Sequence, residues 1–299
     1  MAWTKSALHP LFGARLTGPR LDRPLREDDR TSLVAAVETH GLVVLPDQPL
    51  DDDLLVAATE QLGEIDRVGQ KVNIDQTLVF RVTNVADDGG ILPLDDRMFQ
   101  INIANQLWHT DSTYVRPGSK FSILHARVSP PEGGDTEFCD TRVAWERLDP
   151  ALRERIAPLI AMHSLRHSRR KAGFDGWSEQ ELAGLDTVPR PLVHHHTPSG
   201  RTALCLASHI GEIAGMDDAE AASLLDMLIE QATRPELVHT HRWSVGDLLI
   251  WDNRCTMHRA TPFDHRAYKR DLRTLRVTDT DASPLQLTIG PWGRAAALS

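Results

Sequence analysis

A histidine and a carboxylate stand two residues apart in Asn105-Gln106-Leu107-Trp108-His109-Thr110-Asp111-Ser112-Thr113. On an extended backbone both side chains leave the same face, so three residues of chain aim two metal ligands at one point. His258, in Trp251-Asp252-Asn253-Arg254-Cys255-Thr256-Met257-His258-Arg259, is a third candidate. A chain that uses all three must fold so that its middle and its far end lie side by side. Two imidazoles and one carboxylate on one face suit non-haem Fe(II) and leave positions open for chemistry. The tripeptide alone decides nothing. With 14 His and 42 acids in 299 residues, about two His-x-Asp/Glu matches arise by chance. A capping or surface histidine is the ordinary alternative.

The rest of the chain reads as many short strands with helices at the front and in one insertion. Residues 31–40 form a helix that Gly41 stops, followed by a buried strand at 42–45. A second helix spans 51–62, and a strand 77–85. The acidic, Gly-containing stretch 87–100 reads as a loop. Strands follow at 121–128 and 135–140, ended or preceded by Pro130-Pro131 and Gly133-Gly134. Short helices lie in 145–160, around Pro150. The basic stretch 166–176 reads as a mobile loop. It opens a lid segment at 166–190. Strands at 192–196 and 204–209 flank a Pro198-Ser199-Gly200 turn. The helix at 217–233 is the clearest, with paired acids at its start and Leu224, Leu225, Leu228 and Ile229 on one face. Strands at 238, 248–251 and 272–277 complete the chain. This pattern suggests a β-sandwich or barrel with flanking helices, the ligands lining its mouth.

Composition narrows the partners. The net charge is -9, and no Lys/Arg run dominates, which argues against nucleic acid. No stretch approaches the ~18 apolar residues of a membrane span. The start of the chain lacks the apolar run of a signal peptide. Three scattered cysteines, Cys139, Cys205 and Cys255, fit no disulfide framework and suggest a reducing, cytoplasmic compartment.

Three segments together carry more weight than the tripeptide. Trp108 to Asp111, Gly133-Gly134-Asp135-Thr136-Glu137-Phe138, and Trp251 to His258 resemble, in order and rough spacing, the WHxD, GGDTxF and WDNRxxxH elements of the TfdA/taurine dioxygenase family. Within that family the resemblance is greatest to the 2,4-dichlorophenoxyacetate branch, through Ala104 to His109, Gly133 to Asp140, His9-Pro10-Leu11-Phe12 and Lys71-Val72-Asn73. The resemblance implies one domain over 1–299 with a double-stranded β-helix, or jelly-roll, core. It also implies an Fe(II)- and 2-oxoglutarate-dependent dioxygenase that consumes O2, and a homo-oligomer.

On that resemblance His109, Asp111 and His258 are the iron ligands. Asp111 favours hydroxylation, since related halogenases lack this carboxylate. Arg270 and Thr136 match the partners of the far carboxylate of 2-oxoglutarate. The interval from His258 to Arg270 is one residue longer than usual, an addition we place in the loop at 264–268. The family's substrate-binding arginine position holds Thr274 here. Arg276, two residues on and on the same face as Arg270 by strand alternation, is the substitute, with a solvated strand arginine as the alternative. Lys71, Thr113, His196 and His209 match residues near the substrate. The run His194-His195-His196 also reads as a polar strand end. A second lysine of the herbicide branch is Gly90 here. Trp251 and Asp252 are read as packing and support for the ligands.

The implied reaction hydroxylates a small anionic substrate, an aryloxyacetate such as 2,4-dichlorophenoxyacetate. Oxidation at the carbon between ether oxygen and carboxylate gives a hemiacetal that falls to a phenol and glyoxylate, with succinate and CO2. The same chemistry on a sulfonate such as taurine, or on another carboxylic acid, is the nearest alternative. A non-catalytic metal- or carboxylate-binding protein is the alternative of another class.

Overall fold

A computed structural model of the chain describes residues 2–67 and 78–280. The expected substrate residue Lys71 lies outside the described residues. Seven strands form the large sheet, in the spatial order Thr4–Ala7, Ala14–Thr17, Leu42–Leu45, Leu248–Asp252, Ser119–Val128, Asp271–Thr278 and Phe80–Thr83. Ala14–Thr17 and Leu42–Leu45 pair in parallel. The other neighbours are antiparallel. A three-stranded sheet of Val238–His241, Thr136–Asp140 and Thr256–Ala260 packs against it.

Both faces of the centre of the large sheet are covered, which is why Leu42–Leu45 and residues 248–251 read as unbroken apolar runs. In Leu248–Asp252, Leu248 and Ile250 join a cluster with Leu33 and Val37 of helix Glu27–His40 and Leu55 of helix Asp52–Glu60. Leu249 and Trp251 face the other way, into a cluster with Phe138 of the smaller sheet. Strand alternation carries the same division into Ser119–Val128 and Asp271–Thr278. Phe121, Ile123, Leu275 and Val277 face the helices, while Leu124, Ala126 and Leu272 face the interior. The result is the jelly-roll core with flanking helices that the sequence suggests. Burying one such Leu or Phe side chain contributes about 1.5–3 kcal/mol.

A buried ion pair ties the first helix to the smaller sheet. Arg142 bonds Asp140 through Nη2 at 2.6 Å and donates to the helix-end carbonyls of Glu38 and Thr39. It thus satisfies carbonyls that a helix terminus leaves without partners. Gly41 follows at φ 73, and a Cβ there would lie 3.1 Å from Arg142 Nη2. The glycine therefore ends the helix and lets the guanidinium approach.

The insertion carries its own core, with Leu224, Leu225 and Leu228 of helix Asp218–Ala232 packed toward Trp108 and Met257. This cluster supports the metal-motif segments from behind.

Three expectations change in detail. The stretch expected as a loop at 87–100 ends in a helix, Arg97–Ile103, because the Asp96 carboxylate caps Met98 N and Phe99 N. The basic stretch expected as a mobile loop contains helix Leu165–Lys171, capped by Ser164. Its run of Arg and His hides an ordinary N-cap signal. The strand expected at 204–209 is instead Arg201–Leu204, paired with Val193–His196 across the turn. Among the described residues, no helix is long and apolar enough to cross a membrane.

Candidate metal centre

His109 and His258 meet as an isolated antiparallel bridge. Their backbones exchange two hydrogen bonds, of 3.0 and 2.8 Å. Asp111 opens the turn that follows His109 rather than continuing a strand. Thr110, between them, points the other way and donates to the Leu206 and Thr256 carbonyls. The alternation expected from His-x-Asp therefore survives at this one step. His109 Nε2 lies 3.7 Å from Asp111 Oδ1, and His258 Nε2 lies 3.9 Å from Asp111 Oδ2. One donor atom from each of the three residues lies within 4.8 Å of the others.

The surroundings fix both protonation and orientation. His109 Nδ1 lies 2.7 Å from the Leu107 carbonyl. A carbonyl only accepts, so the proton sits on Nδ1 and the Nε2 lone pair is free for a metal. Burial lowers the pKa of His109 and pushes that of His258 down to about 3, with His109 adding to the effect on His258. Both rings are thus neutral, as ligands must be. Burial alone would raise the Asp111 carboxyl. The Arg276 guanidinium, His258, His109 and the Ser122 hydroxyl outweigh it and hold the group below the usual carboxylate range.

Ser122 donates to Asp111 Oδ2 at 2.7 Å, Asn253 Nδ2 donates to Ser122 Oγ at 2.8 Å, and Trp251 Nε1 donates to Asn253 Oδ1 at 3.0 Å. This relay orients the carboxylate. Sequence reasoning missed Ser122 and Asn253. Ser122 is the polar residue between Phe121 and Ile123 on a buried strand, and that irregularity was its signal. His258 is held by packing, stacked at 5.8 Å on Phe138, its cross-strand partner, and tilted against Trp251 at 4.6 Å.

A cavity opens from this cluster toward Thr136, Arg270, Thr274 and Arg276, walled by Val82 and Leu124. Arg270 Nε donates to the Gly134 carbonyl at 2.8 Å. A Cβ on Gly134, at φ 65, would lie 3.1 Å from Arg270 Cδ and 2.8 Å from Pro130. The second glycine of the motif thus makes room for the arginine. Burial lowers the pKa of Arg270 to about 10, against the opposing pull of Asp135, and leaves it charged at neutral pH. Thr136 Oγ1 accepts from Trp243 Nε1 at 3.0 Å, so its own proton can be donated into the cavity.

Arg276 faces inward beside the triad, its cross-strand partner being Ser122. Its Nε is 3.7 Å from Asp111 Oδ2, and its guanidinium lies 5.1 Å from the Phe80 ring centroid. Arg273 turns outward to Asp271 and Asp52, as alternation requires. His209 stands edge-on to His109, with centroids 5.9 Å apart, and against Tyr114 at 4.7 Å. Thr113 is buried, with its carbonyl accepting from Arg190 Nε and its hydroxyl unpartnered.

His196 is not brought to the cavity. Its Nε2 lies 3.0 Å from Asp252 Oδ2 and its Nδ1 2.7 Å from Ser199 Oγ, in a buried group that also contains Arg254, paired with Asp252 at 2.8 Å. The strand Val193–His196 alternates, burying His194 and His196 and exposing His195, and His196 meets Asp252 at the end of Leu248–Asp252. Asp252 likewise supports Arg254 and His196, while Asn253 supports the ligand carboxylate.

The family model described as "Taurine catabolism dioxygenase TauD, TfdA family" matches residues 4–278. The alpha-ketoglutarate-dependent 2,4-dichlorophenoxyacetate dioxygenase of Burkholderia sp. (strain RASC) is 36% identical over 278 residues, 91% of this chain and 93% of that protein. The (S)-phenoxypropionate/alpha-ketoglutarate-dioxygenase of Delftia acidovorans is 35% identical over 264 residues, 85% of this chain and 88% of that protein. The crystal structure of AAD-2 in complex with Mn(II) and N-oxalylglycine superposes with a TM-score of 0.87 at 35% identity, covering 94% of this chain and 98% of that one. The chain belongs to the TauD/TfdA family of dioxygenases.

Proposed function

We propose that this protein is an Fe(II)- and 2-oxoglutarate-dependent dioxygenase that hydroxylates a small anionic substrate, an aryloxyacetate such as 2,4-dichlorophenoxyacetate, giving a phenol and glyoxylate with succinate and CO2. The observation that carries this reading is the convergence of His109, Asp111 and His258 at one end of a cavity whose other end holds Arg270 and Thr136. The relatives from Burkholderia and Delftia act on compounds of this kind.

The donor set fits the metal. Two neutral imidazoles with Nε2 directed inward and one ionised carboxylate would hold Fe(II) on a single face. Bound there, the metal supplies activation of O2, with 2-oxoglutarate as the source of electrons. The chain's own residues do the rest. Leu107 fixes the His109 tautomer, and Ser122 keeps Asp111 ionised and oriented. Arg270 and Thr136 receive the far carboxylate of 2-oxoglutarate, a guanidinium and a hydroxyl donor facing two oxygens. Val82, Leu124 and Trp251 line the space between and limit water. Arg276 presents a guanidinium to the substrate's anionic head, and His209 with Tyr114 shapes the wall beside it.

A cytoplasmic setting accords with three buried free cysteines, Cys139, Cys205 and Cys255.

The test is a substrate panel with Fe(II), 2-oxoglutarate and air. Phenol release from 2,4-dichlorophenoxyacetate, equal in amount to succinate, is expected. Sulfite release from taurine without phenol would move the assignment to a sulfonate. Metal binding with no oxygen consumption on any acid would overturn the enzymatic reading.

A further inference from the structure

A second cavity adjoins the metal cavity. The two share Val82, Asn105, Ala260 and Arg270 in their linings. Apart from Asp111 and Arg276 at the metal end, the half-buried residues of the metal cavity are Val82, Asn105 and Ala260. All three belong to the shared set, so the Arg270 end of the metal cavity opens into the second one. The second cavity reaches the surface at Ile103, which is 38% exposed. Among the described residues its lining holds no acid, and Arg270 is its only guanidinium. A lining of amides and rings with one cation at the inner end draws an anion inward.

The outer wall of this cavity is built to move. Helix Arg97–Ile103 contributes Phe99, Asn102 and Ile103 to it, and none of the helix's residues is buried. A helix with no buried residue shifts at low cost. Arg97, its first residue, ties it to the segment that follows helix Leu165–Lys171. Arg97 Nη2 donates to the Glu181 carboxylate at 2.7 and 2.9 Å and to the Gly176 carbonyl at 3.3 Å. Its guanidinium lies 5.7 and 5.9 Å from the ring centroids of Phe174 and Trp177. The paired side chains are 37% and 32% exposed, and an ion pair so exposed, even with ring contacts, is weak enough to open. The closed arrangement also carries a cost. Asn102 Nδ2, Thr261 Oγ1 and Trp177 Nε1 are sealed from solvent without hydrogen-bond partners among the described residues. Opening lets water or a passing carboxylate satisfy them, which offsets the loss of the Arg97 contacts.

We propose that 2-oxoglutarate enters and succinate leaves through this second cavity, and that Arg97 is the latch that holds its outer wall shut. The inference rests on the proposed function for the identity of the two dicarboxylates. Arg97 is a positioning residue: it touches neither ligand and acts through the helix that it fastens.

The experiment is stopped-flow binding of N-oxalylglycine to the protein loaded with Mn(II), followed by tryptophan fluorescence, since Trp251 lines the metal cavity. A passage changes both rate constants by one factor and leaves their ratio alone. Ile103→Trp narrows the mouth at an exposed position, and kon and koff should both fall about threefold or more. Arg97→Ala releases the latch, and both should rise about three- to tenfold, the worth of one exposed ion pair with its ring contacts. In each variant the Kd should stay within about twofold of wild type. Wild-type rates in Ile103→Trp would overturn the route, and wild-type rates in Arg97→Ala would overturn the latch. A raised Kd with an unchanged kon in either variant would make the cavity part of the bound site and overturn the passage. In all three cases binding by the wild type leaves the proposed function standing. If the wild type binds no N-oxalylglycine, the proposed function falls and the passage with it.

Discussion

Ser122 and Arg276 sit opposite each other on neighbouring strands, and both address the same oxygen, Asp111 Oδ2, at 2.7 and 3.7 Å. One carboxylate thus faces a neutral donor and a cation from adjacent strands, while its other oxygen turns to His109. The pairing explains how a buried acid stays ionised before any metal arrives. It also separates two functions: the serine orients the ligand, and the arginine balances its charge.

Removing the orienting hydroxyl should weaken the metal without unfolding the protein. Ser122→Ala deletes one atom and leaves Asn253 Nδ2 without its acceptor. Loss of such a supporting contact is expected to lower metal affinity about 10- to 100-fold. Titration of the metal-free protein with Mn(II) measures it. An unchanged affinity would show that Asp111 is positioned by the fold alone.

Arg270 should affect 2-oxoglutarate and little else. Arg270→Ala removes a charge-assisted pair, typically about 1.5–3 kcal/mol, so the Kd for N-oxalylglycine should rise about tenfold to a hundredfold. Metal affinity in the absence of the co-substrate should hold. An equal loss of both would mean that Arg270, through the Gly134 carbonyl, mainly braces the cavity wall.

His196 offers the converse. The sequence makes it a candidate for substrate contact, but it serves the buried Asp252 and Arg254 group. His196→Ala leaves Asp252 short of a donor, a loss of about 1–3 kcal/mol in stability. Chemical denaturation should register it, while the Kd for 2,4-dichlorophenoxyacetate stays within about twofold of wild type. A large change in that Kd with unchanged stability would return His196 to the substrate site.

Acid should destabilise the metal-free protein in a defined window. His258 is held neutral down to about 3 and His194 to about 4, both chiefly by burial, whereas an unfolded histidine titrates near 6.5. The unfolded chain therefore binds more protons below that value. The stability that these neutral rings confer is complete above about pH 6.5 and is lost as pH falls toward their folded pKa values, each ring adding about 1.4 kcal/mol per pH unit within its window. Melting in EDTA between pH 7.5 and 4.5 should show a progressive fall. A flat profile would mean that these rings are not buried in solution.

The sequence and the structure agree where information is local or carried by motif. Gly41, the apolar runs at 42–45 and 248–251, and the Leu face of helix Asp218–Ala232 are legible because period and punctuation point one way. The convergence of His109, Asp111 and His258 was legible through three motifs together, and spacing alone could not have supplied it. Ser122 and Asn253 were not legible. Each depends on which strand or helix lies across from it, a relation that long-range pairing creates. His196 shows the reverse: a residue type suited to a site, whose two ring nitrogens the strand register places against Ser199 and Asp252. Helix Leu165–Lys171 was hidden because its cap, Ser164, precedes a run of charge that resembles a loop.

The most direct test of the central claim, that His109, Asp111 and His258 form the metal centre of a 2-oxoglutarate oxygenase, compares wild type with Asp111→Ala. Both are given Fe(II), 2-oxoglutarate, O2 and 2,4-dichlorophenoxyacetate, and succinate is measured alongside metal content. A metal centre built on these three residues predicts succinate and phenol in equal amounts from the wild type, and a variant that retains its fold but loses metal and at least about 99% of succinate formation, as expected when a metal ligand is removed. A variant that binds metal and forms succinate at the wild-type rate would contradict it.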